Sequence, residues 1–71
     1  MTFPEYTRLR RVEAGVSLQQ VADALGLPHR SMIHRRETGE NEWRFSEVVK
    51  LAALLNTPLS EFIAAWECTA V

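Results

Sequence analysis

The chain has 71 residues, 46% of them hydrophobic, and a formal net charge of −1. That length makes one domain, burying only about 60% of its unfolded surface, and no apolar run approaches the roughly 18 residues of a membrane span. The lone Cys68 excludes an internal disulfide and a multi-cysteine zinc site, no signal peptide is visible, and a reducing cytoplasm is the expected compartment.

No β-alternation or hairpin signal stands out, and most glycines and prolines sit at helix ends, so the chain reads as all-α. Thr2-Phe3-Pro4-Glu5 is a capping box that opens a first helix running to about Ala14, with Gly15 as its left-handed stop. Phe3, Tyr6, Leu9 and Val12, at i, i+3 spacing, are its expected apolar residues. Ser17-Leu18-Gln19-Gln20 is a second capping box, with Val16 and Val21 placed as a hydrophobic staple. The second helix carries Val21, Ala22 and Leu25 on one face and ends at Gly26. Pro28 fits the first turn of a third helix, which runs to about Thr38 and stops at Gly39. Residues 40–43 form a loop. A fourth helix covers about Arg44 to Leu55, with Phe45, Val48, Val49, Ala52 and Leu55 at helical spacing and Asn56 as its left-handed cap. Thr57 is the next N-cap and Pro58 the first residue of a fifth helix, whose stripe is Leu59, Phe62, Ile63 and Trp66. The tail 67–71 is expected to fray.

The third helix carries the chemistry. Residues 27–36 hold three of the eight Lys/Arg and none of the nine Asp/Glu. With Ile33 facing inward, Arg30, Ser31, His34 and Arg35 project outward. Arg30 and Arg35 each have the fork that pairs with guanine O6 and N7, worth about 1–3 kcal/mol of discrimination. Ser31 can donate to a base or a phosphate, and His34 can hydrogen-bond or neutralise a phosphate. The bland alternative is a solvated basic face; the capping box before it and the glycine stop after it favour DNA. A small basic patch on an acidic body still steers an anion to one face, while limiting non-specific phosphate binding. His29 and His34 share no helix face, so no metal site is expected. No nucleophile triad, phosphate loop or paired-carboxylate arrangement stands out, so neither catalysis nor a cofactor is expected.

Gly15-Val16-Ser17, Val21-Ala22, Leu25-Gly26-Leu27, Glu37-Thr38-Gly39 and the pattern of Val48-Val49-Lys50-Leu51-Ala52, Leu54-Leu55-Asn56, Pro58-Leu59 and Glu61-Phe62 have a joint order and spacing. On these the chain resembles the Cro and lambda-repressor-like (XRE-type) helix-turn-helix family over about residues 5–66. The resemblance implies a five-helix fold in a single domain, 1–71, with the helix-turn-helix at about 17–38. It implies double-stranded operator DNA as ligand, usually a homodimer, and a recognition helix at about 29–38 in the major groove. It points to Arg30, Ser31 and Arg35 as base readers and to Gln19, Asn41 and Arg44 as phosphate contacts, with His29 added to the latter. It also implies a structural ion pair between Arg11 and Glu37 that orients the third helix.

Three departures from the family pattern stand out. Leu18 occupies a place where the family usually has a phosphate-binding glutamine. Arg36 occupies a usually apolar place, its stem expected to pack while its charge snorkels out to a phosphate. The turn between the second and third helices reads one residue longer than the shortest family form. Phe62, Ile63 and Trp66 are placed either in the core or in a two-fold dimer patch.

These features lead to a small bacterial or phage repressor. It would act on the nucleoid in the cytoplasm by occluding or contacting RNA polymerase, with no membrane partner and no small-molecule ligand. The alternative is a protein-interaction module of the same fold, such as an antitoxin or accessory factor whose basic helix grips an acidic partner. The net charge and Leu18 favour that second reading.

Overall fold

The computed structural model describes residues 1–69. They form α1 (Phe3–Glu13), α2 (Leu18–Leu25), α3 (Arg30–Thr38), α4 (Phe45–Leu54) and α5 (Leu59–Thr69), with no strand among the described residues. The local chemistry that starts these helices is visible at α1 and α2. Thr2 accepts from the Glu5 amide at 3.3 Å. Ser17 Oγ accepts from the Gln20 amide at 3.1 Å while Gln20 Oε1 accepts from the Ser17 amide at 2.8 Å, a reciprocal capping box. Helix ends are equally local. Leu27 N–H donates to Ala22 O at 2.9 Å across left-handed Gly26 (φ 73°), and Thr57 N–H to Ala52 O at 3.0 Å across left-handed Asn56 (φ 52°).

The helices wrap one core. α2 packs on α3 and α4, α1 on α3 and α5, and α4 on α5. Val21, Ile33, Val48 and Phe62 are fully buried at its centre, with Leu51 and Ala52 beside them and Trp43 sealing the α3–α4 loop side. Phe3 stacks on Trp66 with ring centroids 5.3 Å apart, and Tyr6 meets Phe62 edge-on at 5.4 Å. These contacts tie both chain ends into the same core.

Several expectations need correcting. Leu9 and Val12 are exposed, whereas Thr7 is buried and donates to Pro4 O at 2.7 Å. A strict i, i+3 series falls about 60° behind the helix at each step, so by Leu9 it has left the face that Phe3 occupies. In α4, Phe45 and Val49 are exposed, and the buried stripe is Glu47, Val48, Leu51 and Ala52. Phe45 lies outside against Trp66, at 6.4 Å.

Pro28 is not in α3. His29, extended at φ −137° and ψ 135°, is the N-cap, and the four-residue turn 26–29 packs Leu27 against the core and leaves Pro28 exposed. Thr57 does not cap α5, which opens at Leu59. Its hydroxyl is taken up instead, accepting from Arg10 Nη2 at 3.0 Å and donating to Leu55 O at 3.2 Å. Phe62 has no exposed surface and belongs to the core, while Ile63 and Trp66 are half-buried. Of the tail expected to fray, residues 67–69 belong to α5, which continues to Thr69, and residues 70–71 lie outside the described residues.

Candidate nucleic-acid interface

α3 is divided sharply into two faces. Successive helical residues turn by about 100°, so Arg36 and Glu37 flank fully buried Ile33 on the inner side. Ser31, His34, Arg35 and Thr38 fall on the opposite side, while Arg30 lies at the edge of the buried side in the first turn, about 60° around from Ile33, and all five are exposed. His29, exposed at the start, makes no side-chain cap bond, so amides at the positive end of α3 remain available. The exposed surface of α3 therefore offers two guanidinium forks, an imidazole and a hydroxyl on one rigid helix, a set that can pair with base edges. Arg35 Nε lies 4.0 Å from Glu40 Oε2, with both side chains more than half exposed. Such a pair is worth at most about 1 kcal/mol and yields readily to a better anion.

Polar groups flank this helix. Gln19, exposed near the start of α2, donates one amide hydrogen to Asp23 Oδ1 at 2.9 Å and keeps a second. Asn41 is exposed in the α3–α4 loop, and its backbone N–H donates to Arg35 O at 3.2 Å, which ties the loop to the last turns of α3. Arg44 is exposed at the N-cap of α4.

Two ion pairs hold α3 from behind. Arg11 Nε and Nη2 bind the two oxygens of Glu37 at 2.6 and 3.2 Å, while Nη1 reaches Val16 O at 2.9 Å. The Glu37 side chain is almost wholly enclosed, at 3% exposure. On the other flank, Arg36 Nε and Nη2 each bind a Glu47 oxygen at 2.9 Å, and both side chains are about nine-tenths buried.

A family model described as helix-turn-helix matches residues 8–62, most of the chain. The chain belongs to the Cro and lambda-repressor-like helix-turn-helix family. No curated protein matches it at a significant level. This is a family of DNA-binding regulatory domains rather than of enzymes, with α2 and α3 here as the two helices of the motif. Among the described residues, no helix is long and apolar enough to cross a membrane, and no group of three metal-ligating side chains occurs.

Within this helix-turn-helix domain, Ser31, His34 and Arg35 share one exposed face with Arg30 exposed at its edge, His29 is exposed at the start of α3, and Gln19, Asn41 and Arg44 are exposed on the neighbouring segments. Arg36 is the correction. It was expected to snorkel to a phosphate, but its guanidinium is 8% exposed, and its remaining nitrogen Nη1 donates to Met32 O at 3.0 Å. A neighbouring buried carboxylate satisfies the charge internally, so nothing draws it out to water. Sequence reasoning missed Glu47, the partner. The available signal was Arg36 itself, because a cation on the inner face of a helix requires a buried anion to meet it.

Proposed function

We propose that this protein is a sequence-specific transcriptional regulator that inserts α3 into the major groove of operator DNA. Arg30 and Arg35 pair with guanines, and Ser31 and His34 read adjacent base edges. Gln19, His29, Asn41 and Arg44 position the domain on the phosphate backbone. The observation that supports this reading is the two-faced α3, with Ser31, His34 and Arg35 exposed on its outer side, Arg30 exposed at its edge, and its inner side held by Ile33 and two ion pairs. A base-reading helix must be rigid, because discrimination is lost when its side chains wander from the hydrogen-bonding positions.

The regulator works as a homodimer in the cytoplasm, with half-sites about 10 base pairs apart, and represses by blocking RNA polymerase. Ile63 and Trp66, half-buried on α5, are the candidates for its two-fold contact. The test is an Arg30→Ala/Arg35→Ala double variant assayed on a DNA sequence selected by the wild-type chain. The expected result is a folded protein that no longer prefers that sequence over random DNA. An unchanged footprint would remove α3 from its assigned role.

A further inference from the structure

The Arg36–Glu47 pair links more than two side chains. Every guanidinium nitrogen of Arg36 is engaged, two on Glu47 and one on the carbonyl of Met32 one turn back in its own helix. Glu47 in turn accepts a third bond at Oε1, from the backbone N–H of Arg44 at 2.9 Å. One carboxylate therefore grips the recognition helix and the residue at which the phosphate-contacting loop enters α4. We infer that Arg36 and Glu47 are positioning residues for sequence reading. They set the angle between α3 and the Arg44 segment, so that base contacts and phosphate contacts act on DNA in one register.

The inference rests on the DNA-reading function proposed above, and three physical points support it. A bidentate arginine–carboxylate pair fixes direction as well as distance, which an apolar contact does not. Stability alone gives no reason for the pair, since apolar side chains of similar volume commonly fill such a place as well or better. Arg36 and Glu37 also lie on opposite edges of the buried face and are held by α4 and α1 respectively. α3 is thus braced from both flanks against rotation about its own axis.

The test uses the full chain with Arg36→Met and Glu47→Leu together, against a DNA sequence selected from a random library by the wild type. The double variant is expected to fold, with the apolar pair offsetting most of the loss of the Arg44 N–H bond, and to bind random DNA with the same affinity and the same salt dependence. Its preference for the selected sequence should fall about 10- to 100-fold, the equivalent of one misaligned base contact. A full retained preference would reduce the pair to packing and overturn the inference. A drop of about 0.9 in the slope of log affinity against log salt would also overturn it, by making Arg36 a phosphate contact. If the apolar pair does not fold, Arg36→Lys keeps the charge without the fork. The same loss of preference is expected there, and an unchanged preference is equally fatal. A wild-type chain that selects no sequence sinks the DNA-reading function itself, a result distinct from variants that keep a preference the wild type has.

Discussion

Glu37 and Arg30 are seven residues apart on one helix and should respond to mutation in opposite ways. Glu37→Ala leaves largely enclosed Arg11 without its anion, and removing one member of such a pair costs up to about 3–5 kcal/mol. That loss is a large part of the total stability of so small a domain. Urea denaturation should show it as a lower midpoint, and the loss of stability should exceed any loss of base preference in a variant that still folds at low temperature. An unchanged midpoint would mean the pair holds nothing. Arg30→Ala should do the reverse, leaving stability within about 0.5 kcal/mol and costing about 1–3 kcal/mol of operator discrimination in a binding titration. Gly39 offers a third contrast. A Cβ there would meet only Pro4 Cγ, at 3.9 Å, but its φ is +86°. Gly39→Ala should therefore lose more than about 1 kcal/mol through backbone strain rather than crowding, read as a lower melting temperature.

The start of α2 and the ends of α2 and α4 were legible in the sequence because their causes are local, whereas the starts of α3 and α5 were not, since Pro28 lies outside α3 and Thr57 does not cap α5. Ser17 and Gln20 need only each other, and Gly26 and Asn56 need only their own backbone freedom. Ser17→Ala should accordingly cost about 1 kcal/mol, measured by thermal unfolding, with no change in which DNA is preferred. Helix faces were less legible. α1 and α4 carry apolar residues on more than one side, and the neighbours decide which are covered. Leu9, Val12, Phe45 and Val49 stay exposed while Thr7 and Glu47 are buried. The outward placement of Ser31, His34 and Arg35 was readable because Ile33 is the single aliphatic residue of α3 with strong inward preference and these positions follow from it, whereas Arg30 is exposed through its place in the first turn. Its inner polar residues divided differently. Glu37 was anticipated through a family resemblance, whereas the partner of Arg36 lies eleven residues on, beyond any local pattern.

At the scale of the whole molecule, the charge balance shapes how DNA is bound. The body is acidic, with a net charge of −1, and burial of Arg36 against Glu47 leaves the α3 surface less basic than its composition. Exposed Glu40 and Glu42 stand in the loop that follows. Such a domain gains little from indiscriminate phosphate attraction, so the proposed function rests on base contacts by α3 and on the proposed dimer. The most direct test is a fluorescence anisotropy titration of the wild-type chain with a library-selected duplex and with random duplex, across a salt series. The expected result is a marked preference for the selected duplex that persists as salt weakens both complexes. Equal affinity for the two duplexes, or no binding to either at low salt, would contradict it and make the outward face of α3 a surface for a protein partner.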